Sequence, residues 1–138
     1  MKALVLTELG GPDQLAVADV PRPELTREDA VLVRVHSAAL NHLDVFVLGG
    51  LPGITYTYPH IVGSDAAGTV EAMGSAVTGF RAGDRVMVNP GISCGACEFC
   101  LDDEQPLCAS YGLLGEHVPG TAAGDLVVPG RKLGKGLE

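Results

Sequence analysis

Positive charge is scarce in this sequence. Only 9 Lys and Arg stand against 17 Asp and Glu, a formal net charge of -8. Nucleic-acid binding draws on clustered cations that neutralise phosphates, and no such stripe is present. An anionic membrane surface would repel the chain for the same reason. Apolar runs are short as well, and none approaches the ~20 residues of a spanning helix. The opening stretch MKALVLTELGG has one Lys and four apolar residues before Thr7, too short for a secretory core. There is no Asn-x-Ser/Thr acceptor, no internal repeat and no Trp. These absences predict a reducing, cytoplasmic setting, where clustered cysteines bind metal more often than they form disulfides. A further absence concerns cofactors. No G-x-G-x-x-G occurs, so the glycine-rich turn that seats a dinucleotide pyrophosphate at a helix N-terminus is missing.

What is present suits one domain of mainly β structure. The 138 residues include 19 Gly and 9 Pro, spread along the chain, which break it into short segments. Lys2 to Thr7 reads as a strand. Gly10 to Asp13 form a turn, and Leu15, Val17 and Val20 make the return leg of a hairpin. Asp29 to Ser37 predicts a third strand with Val31, Val33 and Val35 on one face. Leu40 to Leu48 predicts a short helix. Val62 to Met73 and Asp84 to Val88 read as extended, 91–110 as an irregular lobe, and Leu126 to Val128 as a last short strand. The basic, Gly-rich tail 130–138 is expected to fray, and its final Leu137-Glu138 resembles the scar that expression cloning leaves.

The chemistry lies in the cysteines. Cys94, Cys97, Cys100 and Cys108 follow a C-x2-C-x2-C-x7-C pattern and are the only cysteines in the chain. Thiolates at two-residue spacing curl around one ion, and a fourth closes a tetrahedron with bonds of ~2.3 Å. A set of buried or paired cysteines is one rival reading. An iron–sulfur cluster is another, but its bacterial pattern has a shorter last gap and a Pro after the final Cys, where Ala109 stands here. The spacing favours a single structural zinc. Four protein ligands leave no open position for water, so such a zinc does no Lewis-acid chemistry.

The segment GISCGACEFCLDDEQPLC resembles the structural-zinc lobe of medium-chain zinc-containing dehydrogenases, the alcohol dehydrogenase and quinone oxidoreductase superfamily. Other landmarks agree in order. SAALNHLDVFVLGGLPG is similar to the family's segment after its third strand. PHIVGSDAAGTVEAMGSAVTGFRAGDRV is similar to its glycine signature, here Gly63, Gly68, Gly74 and Val77 followed by GDRV, and GEHVPGTAAGDLVVP to the strand leaving the lobe. The resemblance covers Met1 to about Pro129. It implies a GroES-like, partly open β-barrel over 1–129 with a short helix and an irregular zinc lobe.

The same resemblance implies a parent oxidoreductase using NAD or NADP on an alcohol, aldehyde or enone. Its cofactor domain would lie outside this sequence, and the chain alone would be inactive. Where zinc-catalytic members carry a Cys ligand this chain has Asn41, and where they carry Gly-His-Glu it has Gly63-Ser64-Asp65. Asn and Ser are poor zinc ligands beside thiolate and imidazole. His42, Asp44, His60, Asp65, Glu116 and His117 lie near landmarks bordering the family's cleft, and either form a remodelled site or only hold turns. Ala123-Gly124-Asp125 also departs from the family's usual reading. The alternative function is a stand-alone zinc-lobed β-barrel that binds a protein partner.

Overall fold

The computed structural model describes residues 1–136. Its strands are β1 (Lys2–Leu6), β2 (Leu15–Asp19), β3 (Ala30–Ala39), β4 (His60–Ile61), β5 (Asp65–Met73), β6 (Arg85–Val88), β7 (Gly91–Ile92), β8 (Gly112–Leu113), β9 (Asp125–Pro129) and β10 (Leu133–Lys135). Helix α1 spans His42–Gly49, and a single turn, α2, spans Glu98–Leu101. A five-stranded sheet runs β10-β6-β5-β3-β9 and a three-stranded sheet runs β2-β1-β4. A two-stranded ribbon, β7-β8, forms the base of the lobe, and all pairings are antiparallel.

The two larger sheets are stitched together by residues 122–124. Leu4 N–H donates to the Ala122 carbonyl at 2.8 Å, Gly124 N–H to Lys2 at 3.1 Å, and Val35 N–H to Gly124 at 3.0 Å. This joins the two sheets along one seam, as in the partly open GroES-like barrel that the sequence implies.

The core is aliphatic and largely β-branched. Val31, Val33, Val70, Val86, Leu126 and Val128 fill the centre of the large sheet, and Leu6, Val47, Leu48, Tyr56 and Val62 pack α1 against the small one. Branched side chains suit the pleat, and each fully buried Val contributes roughly 1.5–3 kcal/mol. The face carrying Val31, Val33 and Val35 packs inward as expected, with Val35 only partly buried. Leu32 on the opposite face is buried too. β3 is covered on both sides at its start, and its pairing with β5 shifts register after Leu32 and again after Val35.

Three sequence expectations change in detail. The lobe is not wholly irregular, since it contains α2 and a 3-10 turn at Gln105–Leu107. The helix starts at His42, not Leu40, because Asn41 has extended backbone and serves as the N-cap. The stretch after Pro129 does not fray. Leu133–Lys135 pairs with β6, Gly136 N–H donates to the Arg85 carbonyl at 2.8 Å, and Lys132 is 7% exposed. Leu133 packs on the main core, and the open edge of β6 supplies the partners that a basic, Gly-rich composition conceals. The reading of Leu137-Glu138 falls outside the described residues.

Candidate metal centre and the neighbouring polar turns

The lobe grows from the β7-β8 ribbon. Cys94 and Cys97 lie on the loop entering α2, Cys100 lies within α2, and Cys108 follows the 3-10 turn. Gly95 has φ +77°, which lets the chain double back between the first two cysteines. All four Sγ atoms lie within 4.8 Å of one another, and Cys94 Sγ is 3.8 Å from Cys100 Sγ. A regular tetrahedron with metal–sulfur arms of ~2.3 Å has edges of ~3.8 Å. The four thiols are unpaired.

Backbone donors surround the sulfurs. Ala96 and Cys97 N–H donate to Cys94 Sγ at 3.4 and 3.3 Å, Gly95 N–H to Cys100 Sγ at 3.3 Å, and Cys94 N–H to Cys108 Sγ at 3.5 Å. Such bonds spread thiolate charge and orient the ligands. The Ala96 and Cys97 donors pull the Cys94 thiol down to about 6. The Cys100 thiol is also lowered: burial opposes ionisation, but the Gly95 N–H and the adjacent Ser93 hydroxyl outweigh it. Cys97 moves the other way. The Cys100 N–H favours its thiolate, yet burial and the three neighbouring sulfurs push it up to about 12. Without a cation the cluster resists full ionisation, and a divalent ion reverses that balance. Ser93 Oγ is buried and lacks a well-formed hydrogen bond, a spare donor beside the sulfurs. The donor set, its spacing and this spare hydroxyl fit zinc.

The sequence-derived cleft residues gather where α1, the turn into β5 and the turn after β8 meet. Asn41 Nδ2 donates to Asp65 Oδ2 at 2.8 Å, joining the two segments that depart from the zinc-catalytic pattern. Asp44 is buried. Its Oδ2 accepts the Asn41 N–H at 2.6 Å and its Oδ1 accepts the Gly63 N–H at 2.8 Å. Gly63 has φ +91°, and a Cβ there would lie 3.0 Å from Thr121 Oγ1. Ser64 Oγ donates to the Leu114 carbonyl at 2.8 Å, and His60 Nε2 donates to the Gly115 carbonyl at 2.9 Å. His117 Nδ1 accepts the Leu113 N–H at 3.2 Å and lies 3.7 Å from Glu116 Oε1. His42 is exposed, its ring 5.1 Å from that of Phe46. Among the described residues, the four cysteines are the one group of three or more His, Cys, Asp or Glu placed to hold an ion.

Several contacts around these turns were invisible in the sequence. Thr121 is fully buried and donates to the Asp65 carbonyl at 3.0 Å. Tyr56 has an unpartnered, buried hydroxyl, and its ring packs edge-on to His60 at 4.9 Å. A groove of about 460 Å³ lies along β9, lined by Pro21, Ile61, Ile92, Leu114, Val118 and Leu126, and includes neither Asn41 nor Asp65.

A thiolate-lobed, partly open barrel of this kind defines a domain class. Residues 27–136 match the family described as the alcohol dehydrogenase GroES-like domain, and the chain belongs to that family. It is 33% identical over 134 residues to an NAD-dependent alcohol dehydrogenase of Sulfolobus acidocaldarius, covering 94% of this chain and 38% of that protein. It is 34% identical over 131 residues to an L-threonine 3-dehydrogenase of Serratia proteamaculans, with the same coverages of 94% and 38%. Among solved structures, the crystal structure of an NAD-dependent alcohol dehydrogenase superposes with a TM-score of 0.91 at 47% identity, covering 98% of this chain and 39% of that one. A cobalt- and zinc-bound thermostable alcohol dehydrogenase from Pyrobaculum aerophilum gives 0.86 at 33% identity, with 98% and 41% covered. The chain therefore spans about two-fifths of the length of these relatives.

Proposed function

We propose that this chain is the barrel domain of an NAD(P)-dependent oxidoreductase acting on a small alcohol, aldehyde or enone. Residues 1–136 form that domain, and Cys94, Cys97, Cys100 and Cys108 hold one structural zinc. The observation that carries the zinc is the set of four Sγ atoms within 4.8 Å, ringed by backbone donors. Zinc bound there supplies a cross-link that fixes the lobe. Relatives named as NAD-dependent alcohol dehydrogenases support the parent activity. In our reading the nicotinamide cofactor is bound by a part of the parent protein outside this sequence, because the glycine-rich fingerprint is absent.

The turn region next to the lobe is read as free of a catalytic metal. The Asn41 amide is already committed to Asp65, and the Ser64 hydroxyl to the Leu114 carbonyl. These two groups hold the substrate-side wall together, and His42, His117 and Asp65 are exposed beside it. Cobalt substitution tests the reading. One cobalt per chain with a thiolate-rich spectrum is expected. A second cobalt with nitrogen and oxygen ligands refutes the metal-free wall, and no bound cobalt together with two disulfides refutes the zinc lobe. Calorimetric titration with NAD(H) and NADP(H) should show no tight binding, and micromolar affinity would overturn the division of labour.

A further inference from the structure

A zinc ion on four thiolates carries a formal charge of 2−, and the lobe around it is acidic, with Glu98, Asp102, Asp103 and Glu104 on or next to α2. Something must offset that charge where the lobe meets the barrel. The strap between β9 and β10 provides two cations there. Arg131 Nη2 donates to the Ser93 carbonyl at 2.7 Å, and Nη1 lies 3.5 Å from Asp29 Oδ2 at the start of β3. The same guanidinium covers Gly95: a Cβ added there would sit 3.0 Å from Arg131 Cζ. Ser93 and Gly95 flank Cys94, and the Gly95 N–H is a donor to Cys100 Sγ. Arg131 thus grips the backbone that presents two of the four sulfurs, and ties it to the barrel.

Lys132 follows directly. It is 7% exposed, an unusual place for a lysine, and its carbonyl accepts the Asn89 N–H at 2.7 Å just ahead of the lobe. Burial, then the adjacent Arg131, holds its ammonium below the usual range, and its bond to Asn89 and its place next to Arg131, which reaches Ser93, set it at the base of the lobe. A buried cation is costly unless an anion compensates it. A thiolate-bound zinc is such an anion.

We propose that Arg131 and Lys132 form a cationic latch that holds the metal in the lobe, Arg131 by fixing the ligand-bearing loop and Lys132 by offsetting the charge of the four thiolates. This rests on the zinc reading above and goes beyond it, because it assigns metal retention to residues far from the cysteines in sequence. Both act as positioning residues through the thiolates and do not touch the ion.

The test is the rate at which the zinc-loaded chain gives up its metal to excess chromophoric chelator. Removing groups that support metal ligands typically weakens a site by about 10- to 100-fold. Arg131→Met and Lys132→Met should each release zinc about 10-fold faster or more, and Arg131→Lys should fall between Arg131→Met and the parent. Lys2→Met, which breaks an exposed ion pair with Asp19 across the β1-β2 hairpin, controls for net charge and should stay within two-fold. In the cobalt form, the thiolate-to-metal absorption of Lys132→Met should move to longer wavelength, because the sulfur electrons lose a stabilising cation; a purely structural lysine would leave it in place. Should Arg131→Met weaken the fold, seen as lost hydrogen-exchange protection in β10, Arg131→Lys decides. Release from both Arg131→Lys and Lys132→Met within two-fold of the control, with an unmoved cobalt band, overturns the latch. A parent chain that binds no zinc overturns the zinc reading instead, so the two failures are distinct.

Discussion

Replacing Asp44 with alanine tests whether this carboxylate is structural. Its two oxygens satisfy two backbone donors, Asn41 N–H at the start of α1 and Gly63 N–H at the turn into β5, and the side chain is buried. A buried donor left without a partner costs about 1–3 kcal/mol. Only the Gly63 donor is fully buried; the Asn41 N–H, part-buried at a helix N-terminus that favours negative charge, adds less, and together they give a loss of about 3 kcal/mol. Asp44→Asn keeps one acceptor oxygen but presents an NH2 group to the second N–H, so it should lose about 2 kcal/mol, roughly one orphaned donor. Asp65→Ala is the control: it removes an exposed carboxylate bound to the Asn41 side chain and should cost no more than about 1 kcal/mol. Urea unfolding of the zinc-loaded chain, followed by circular dichroism, reads all three. The order Ala, then Asn, then the Asp65 control is the expected result. A loss below about 1 kcal/mol for Asp44→Ala would mean that water reaches these donors, and the reasoning from burial would be wrong.

Two other expectations concern the lobe and acid. Cys100→Ser should remove hydrogen-exchange protection over residues 91–110 while the strands of the five-stranded sheet stay protected, because the barrel has its own core; uniform loss across the chain would show that the metal holds the whole fold. Acid should destabilise the protein through Asp125 and Glu71. Arg22 hydrogen-bonds both and holds both below the usual carboxylate range, with Arg34 helping at Glu71. Depressed carboxylates stabilise the fold above their unfolded pKa of ~4 and lose that contribution as pH falls through the folded values. Arg22→Met should therefore flatten the fall in urea midpoint between neutral pH and the acid side of that range, and an unchanged profile would remove the network from the account.

The parts of the fold that could be read in advance were those encoded locally. Val31, Val33 and Val35 alternate within one strand, and the cysteine spacing brings three sulfurs together within seven residues. What escaped was set by distant partners. Asn41 meets Asp65, Asp44 meets Gly63, and His60 and Ser64 both donate to carbonyls of the 114–115 turn, pairings that no periodicity announces. The strand Leu133–Lys135 escaped for a related reason. Its residues Leu-Gly-Lys have little strand preference of their own, and the exposed edge of β6 makes them a strand. Arg131 and Lys132 therefore read as a basic tail, although both are built into the base of the lobe.

The seam at residues 122–124 separates two kinds of assembly event. All four cysteines lie within one short stretch, so the lobe closes a small loop and can form early. Ala3 meets Ala123 across nearly the whole chain, and the entropy of closing so large a loop must be met before its hydrogen bonds form. The lobe sits inside that loop. On the zinc reading proposed above, metal capture is a fast, local event and barrel closure a slow, global one. A chain starved of zinc during synthesis would face the slow step with a longer and looser segment between the two strands it has to join.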